Sequence, residues 1–239
     1  MRIFLFLITV LTTLNNLISQ SITGQQLLEK AIAYHDPNGN WASFSGNFKV
    51  YMTTPNQSPR VSDININLPA EFFSVTAVRD GITQTYSISK NNCDLFYNEE
   101  ELNKAEAKEK NMTCERAYMY KNYYTYLYGL PMKLEDKGTN IDPKVERKTF
   151  KGKDYLVLKA TYDTSVGSDV WYFYFDPESY AMKVYQFYKT GDKGNVTEGS
   201  GEYILLTEEE TVNGIKMPKT RAWYYNKDDK YLGTDTLEK

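Results

Sequence analysis

Apolar and polar positions along the chain change their period several times, and each change marks an element. Thr23-Gly24-Gln25-Gln26 has the form of a capping box, after which Leu27, Leu28, Ala31, Ile32 and His35 recur at helical spacing until Pro37 and Asn38-Gly39 end the run. An amphipathic helix is expected there, with an apolar stripe that needs a packing partner. From Trp41 the period becomes two: Phe44, Gly46, Phe48, Val50 and Met52 alternate with Ser45, Asn47, Lys49 and Tyr51 up to the turn-forming TTPNQSP. Ser62, Ile64, Ile66 and Leu68 carry the alternation to Pro69, and AEFFSVTAVR, ITQTYSIS and DLFYN follow, punctuated by Asp80-Gly81 and Asn91-Asn92. This predicts an antiparallel meander with one face on a core and the other toward solvent.

Asn98 then stands before EEELNKAEAKEK, which has acids first, lysines last and Glu100/Lys104 and Glu106/Lys110 four apart. That pattern predicts a solvated surface helix capped by Asn98. The next segment, RAYMYKNYYTYLYGLP, admits two readings. As a strand it would place Tyr118, Tyr120, Tyr124, Tyr126 and Tyr128 on one face. As a helix it gives a stripe of Tyr120, Tyr123, Tyr124, Leu127 and Leu130, ended by Gly129 and Pro131, and its length without a turn residue favours the helix. Strand patterns resume in VERKTF, YLVLKATYD, VWYFYFD, MKVYQFYK, EYILLTEEE and MPKTRAWYYN, while the oxygen-rich NKDDK and GTD residues read as a solvated hairpin. About ten strands and two core-facing helices make an α+β fold with one large antiparallel sheet, and the aromatic content suggests a sheet strongly curved around the helices.

Ahead of all this, residues 1–20 combine Arg2, an apolar run from Ile3 to Leu14 and then small and polar residues, the layout of a secretory signal with cleavage near Ser19 or Gln20. The run is too short for a bilayer span, and no later stretch approaches the roughly 18 apolar residues a transmembrane helix needs. Residues 21–239 are expected to form a single exported domain, periplasmic or extracellular. The formal charge is −3 and Arg2 contributes +1, so residues 21–239 carry −4, in scattered charges that invite neither nucleic acid nor an anionic membrane. Cys93 and Cys114 are the two cysteines, which in an oxidising compartment read most simply as a disulfide.

Candidate chemistry is sparse. His35 is the one histidine and Asp36 follows it, yet a lone pair at a helix end lacks the convergent groups of a catalytic or metal site. Asp36-Pro37-Asn38-Gly39-Asn40 begins like a calcium loop, but Trp41 stands in the glycine position and Asn47 in that of the bidentate glutamate. Glu208, Glu209 and Glu210 would alternate on a strand and so do not converge as a carboxylate pair; a solvated turn before Asn213-Gly214 accounts for them. No metal, cofactor or catalytic residue is expected.

The segments LLEKAIAYHDPNGNW, KNYYTYLYGLPMKL, WYFYFDPESYAMKVYQFY and TVNGIKMPKTRAWYY resemble an uncharacterised family of exported proteins common in Bacteroidota, across essentially the whole chain after the leader. That family in turn resembles the outer-membrane lipoprotein carrier and receptor (LolA/LolB-like) superfamily, through element order and the strand-turn-strand segment at Phe175 to Lys183. The resemblance implies an unclosed half-barrel of about eleven strands whose concave face, capped by helices, holds acyl chains. It also implies a basic residue ahead of a proline in an early strand, where this chain has Leu68 before Pro69.

Two readings of the tyrosine segment stay open. Buried rings would make it core, each contributing roughly 2 kcal/mol of burial. Tyrosine in place of leucine or phenylalanine brings hydroxyls that need partners, which suits a half-wet groove for an amphipathic ligand. In the second case Phe48, Tyr120, Tyr123, Tyr124, Leu127, Trp171 and Trp223 are the expected lining. The chain is therefore expected to be a monomeric, non-enzymatic protein that binds a lipid or other hydrophobic small molecule. A cell-envelope scaffold that contacts a partner protein is the alternative, and an envelope hydrolase the third reading.

Overall fold

A computed structural model describes residues 22–191 and 194–239; the leader expected at residues 1–20 lies outside the described residues. The first helix, α1 (Gly24–His35), opens on the capping box expected: Thr23 accepts from the Gln26 amide and the Gln26 side chain accepts from the Thr23 amide. Leu27, Leu28 and Ala31 of its stripe are buried against strands described below.

Antiparallel hairpins then run through β1 (Ser45–Thr54), β2 (Gln57–Asn67), β3 (Phe72–Arg79), β4 (Ile82–Ser89), β5 (Asn92–Tyr97) and the two-residue β6 (Glu100–Glu101). Here the structure corrects the sequence reading. Asn98 and Glu99 both take positive φ, 49° and 70°, the conformation of a tight hairpin turn, so they join β5 to β6 rather than start a helix. Helix α2 (Lys104–Glu109) begins later, on Asn103, whose side chain accepts from the Ala105 and Glu106 amides. The tyrosine segment is helical, α3 (Cys114–Gly129), capped by Thr113.

The remaining strands are β7 (Thr139–Ile141), β8 (Glu146–Phe150), β9 (Lys153–Tyr162), β10 (Val170–Phe175), β11 (Met182–Tyr188), β12 (Glu202–Val212), β13 (Ile215–Tyr225) and β14 (Tyr231–Glu238). The expectation of ten or eleven strands becomes 14 strands in one sheet among the described residues, where the three α-helices are the two core-facing ones, α1 and α3, and the exposed α2. Two corrections fall in the C-terminal part. The GTD residues belong to β14 rather than to a solvated hairpin, and Asp235 among them is 6% exposed. The three glutamates lie inside β12, where Glu209 accepts from Tyr34 Oη at 2.8 Å and Lys183 Nζ at 3.1 Å, instead of forming a solvated turn.

The sheet runs β6-β5-β4-β3-β2-β1-β14-β13-β12-β11-β10-β9-β7, with β8 also on β9, and β1 paired to β14 joins the two halves of the chain. Its curvature follows from what α3 touches. Tyr120 packs on Tyr86 of β4, and Tyr126 packs on Tyr162 of β9. Those strands are nine places apart in the sheet order, which on a flat sheet would be roughly 43 Å at about 4.8 Å per strand. A helix roughly 10 Å across reaches both only if the sheet curls around it. The end strands β6 and β7 do not pair with each other, so the half-barrel is unclosed.

The concave face holds the main core, in which Phe48, Ile64, Phe73, Phe173, Phe175 and Ile204 meet the helices. A smaller cluster of Tyr155, Val157, Tyr174, Val184 and Tyr203 sits on the convex face, partly covered by Phe150 of β8. The disulfide Cys93–Cys114 ties β5 to the first turn of α3. No helix among the described residues is long and apolar enough to cross a membrane.

Candidate functional site

Helix α3 divides its tyrosines between two environments. Tyr120, Tyr124 and Tyr128 lie four apart and stack in a column, with ring centroids 6.2 and 6.1 Å apart. The column leans on the sheet through Tyr86, Phe73 and Phe48 respectively, the last pair at 4.6 Å. Tyr124 and Tyr128 are each 1% exposed, Leu127 is 3% exposed and Phe48 is fully buried, so these side chains fill the concave face themselves. Tyr120 is half-buried against the same core.

Tyr123 and Tyr126 point the other way, to the mouth of the half-barrel. Tyr123 is 38% exposed and stacks on Trp223 of β13 at 6.4 Å. Tyr126 meets Trp171 of β10 edge-on at 5.8 Å, and its hydroxyl bonds that of Tyr162. Two clefts flank Tyr123, which is a wall of both. The larger, about 650 Å³, runs between Tyr126, Trp171 and the Ser165–Asp169 loop, with Lys133 and Asp136 at its edge. The smaller, about 320 Å³, lies between Trp223, Met52, Leu232 and Asp235. Of the seven residues expected to line a ligand groove, the structure brings Tyr123, Trp171 and Trp223 to open clefts. It places Phe48, Tyr124 and Leu127 inside the packed interior.

Behind the smaller cleft lies a charged row that sequence reasoning missed. Arg221 of β13 is fully buried, donates to the carbonyls of Leu127 and Pro218 at 3.2 and 3.1 Å, and lies 4.0 Å over the Tyr128 ring. Asp235 faces it from β14; burial raises the Asp235 pKa above the usual carboxylate value, while Arg221, Arg60 and a hydrogen bond from Trp223 pull it down. Arg60 of β2 donates to Tyr124 Oη at 3.2 Å.

His35 has no access to either cleft. It is fully buried, with Nδ1 bonded to the Lys216 carbonyl at 2.7 Å and Nε2 accepting from the Met182 amide at 3.0 Å, so both ring nitrogens are committed to backbone. Asp36 spends its carboxylate on the Asn40 and Trp41 amides, which accounts for the loop that begins like a calcium site. No group of three or more potential metal ligands occurs among the described residues. Leu68, which stands before Pro69, follows β2 and packs on the core.

The architecture has known counterparts at low sequence identity. A LolA superfamily protein from Nitrosomonas europaea superposes with a TM-score of 0.53 at 13% identity, over 92% of this chain and 93% of that one. A DUF1329 family protein from Desulfovibrio piger matches with a TM-score of 0.49 at 8% identity, over 91% and 92%. The first of these likenesses shows the fold, that of an open LolA-like barrel. No curated protein matches the chain. The model of DUF6503, a family of unknown function, matches residues 1–239, and the chain belongs to that family.

Proposed function

We propose that the protein is an exported, non-enzymatic binding protein that holds an amphipathic or otherwise hydrophobic molecule at the mouth of its half-barrel. The observation that carries this reading is the pair of clefts on either side of Tyr123, about 650 and 320 Å³, walled by Trp171 and Trp223. Both volumes fall in the range of small-molecule sites, and aromatic walls with a few polar groups are what such sites use to take apolar area from water while orienting a head group. Export is supported by the apolar leader and by a disulfide, which persists in oxidising compartments. The LolA-like fold is in keeping with this reading, with the ligand moved from under the helix to beside it.

The packed interior favours one competing reading, an envelope scaffold whose concave face is satisfied by its own side chains. Native mass spectrometry of the purified protein, before and after organic extraction, separates the two. Ligand binding predicts an extractable adduct or uptake of a fluorescent fatty-acid probe, weakened about tenfold by Trp171→Ala or Trp223→Ala. A protein that carries nothing and takes up no probe is a scaffold.

A further inference from the structure

The smaller cleft has a chemical signature of its own. Its walls are apolar or aromatic, Met52, Leu232, Tyr123 and Trp223, and the charged residues that line it are two acids, Asp235 and Glu202. No basic residue lines it. Asp235 is 6% exposed; the Trp223 side chain hydrogen-bonds toward its carboxylate, and among the described residues no ion pair of ordinary length engages it. Thr54 Oγ1, on the same wall, is buried and lacks a partner. Burial raises the pKa of both acids, as expected of carboxyls in a largely apolar recess. Counter-charges are set back from the opening. Arg221 is fully buried and bonded to two carbonyls, Arg60 is bonded to Tyr124, and Lys189 acts on Glu202 from outside the cleft.

Thr54 Oγ1 is buried without a partner, which costs stability unless something supplies one, and the Asp235 carboxylate has lone pairs to spare after the single Trp223 donor. Here three oxygen-bearing side chains, Asp235, Glu202 and Thr54, open on one recess beside the stacked Tyr123 and Trp223 rings. We infer that this recess is a site for a primary ammonium group carried on an apolar stem. The ammonium brings three N–H donors to the three acceptors, and the faces of Trp223 and Tyr123 attract its charge. A carboxylate or phosphate entering instead would meet two acids. This assignment rests on the proposed binding function and narrows it to cationic amphiphiles.

Calorimetric titration at pH 7.5 with n-decylamine, decan-1-ol and decanoate tests it. The amine is expected to bind at least tenfold tighter than the alcohol and decanoate weakest, with Glu202→Gln and Asp235→Asn each weakening the amine about tenfold and the alcohol by much less. Because Asp235→Asn alters the interior, Glu202→Gln at the rim is the decisive variant, checked by an unchanged thermal melt. Short-chain phosphatidylethanolamine against phosphatidylglycerol then separates a lipid head group from a free amine as source, since only the former predicts a preference between these two. Alcohol binding as tight as amine binding overturns the ammonium site and leaves the general binding function standing. Failure of all three ten-carbon ligands overturns both.

Discussion

Arg221 on β13 stands directly opposite Asp235 on β14, and the register continues from Asp235 to Met52 on β1 and from Met52 to Arg60 on β2. Two guanidiniums and a carboxylate thus lie in one line across four neighbouring strands, on the face where α3 crosses. Arg221 and Asp235 are both almost wholly sealed from water, yet no ion pair of ordinary length joins them among the described residues. Arg221 is held by backbone carbonyls of α3 and β13 instead, so its charge clamps the helix to the sheet.

Removing one end of this row should cost more than removing both. Arg221→Met leaves Asp235 buried without its main counter-charge and strips donors from the Leu127 and Pro218 carbonyls, for a loss of about 3 kcal/mol or more. Arg221→Met combined with Asp235→Leu takes both charges out of a dry interior and should recover a measurable part of that loss. Urea unfolding followed by tryptophan fluorescence gives the comparison, and a double variant no more stable than the single one refutes the coupling.

The tyrosine column yields a contrast between two hydroxyls. Tyr124 Oη accepts from Arg60, whereas Tyr128 Oη is buried with no partner. Tyr124→Phe should therefore destabilise the protein by about 1 kcal/mol, and Tyr128→Phe should be neutral or stabilising by up to about 1 kcal/mol, because it removes an unsatisfied group at little change of shape. Equal losses in the two variants, read from denaturation midpoints, would contradict this assignment.

What could be read from the sequence follows the range of the interactions. Helices α1 and α3 were legible because Leu27, Leu28 and Ala31, and Tyr120, Tyr124 and Leu127, keep a local 3.6-residue period. Strands β1 to β5 were legible from alternation. The false start of α2 came from an asparagine that suits a helix cap and a positive-φ turn equally well; Asn98 instead accepts from the Thr83 amide across the sheet. Strand β14 was missed because Gly233 and Asp235 occupy core-facing positions where an alternating pattern expects apolar side chains. That one omission hid the charged row, since the partnership of Asp235 with Met52 and Arg221 exists only through pairings over 183 and 14 residues of chain. The fate of each tyrosine was likewise undecidable locally: Tyr123 and Tyr124 are adjacent, yet one walls a cleft and the other is core.

His35 should make stability depend on pH. Burial depresses its pKa below the ordinary 6.5, with Lys183 and Lys216 adding to the effect and Glu209 and the Lys216 carbonyl opposing it. The folded state therefore holds the neutral ring while the unfolded chain takes up a proton, and stability falls as pH drops below about 6.5 toward the lowered folded value. Protonation would also remove the acceptor of the Met182 amide. Asp169, Glu202 and Asp235, whose pKa values are raised, act in the opposite sense over the acid range. The urea midpoint should drop between pH 7.5 and 5.5 in the native protein and change less in His35→Gln; parallel slopes would remove His35 as the source.

The disulfide joins the edge of the sheet to the start of α3 across a largely exposed connection. Cys93 lies on β5, next to the β6 edge of the sheet, and Cys114 is the first residue of α3, 21 residues on. Between them run β6 and the short helix α2, whose residues are mostly exposed. Beyond β5, the buried residues of this connection are Ala107 of α2 and Met112, with Leu102 packed partly on the core, so few points anchor it. Closing a loop of this size stabilises by about 3 kcal/mol through the unfolded chain. Reduction, or Cys93→Ser with Cys114→Ser, should lower stability by about that amount without loss of helical signal in circular dichroism. The first turns of α3 should then exchange amide hydrogens faster than the last, because Leu127, Tyr128 and the Arg221 clamp still hold the far end. Uniform exchange along α3, or an unchanged urea midpoint, would show that packing alone fixes the helix in the half-barrel.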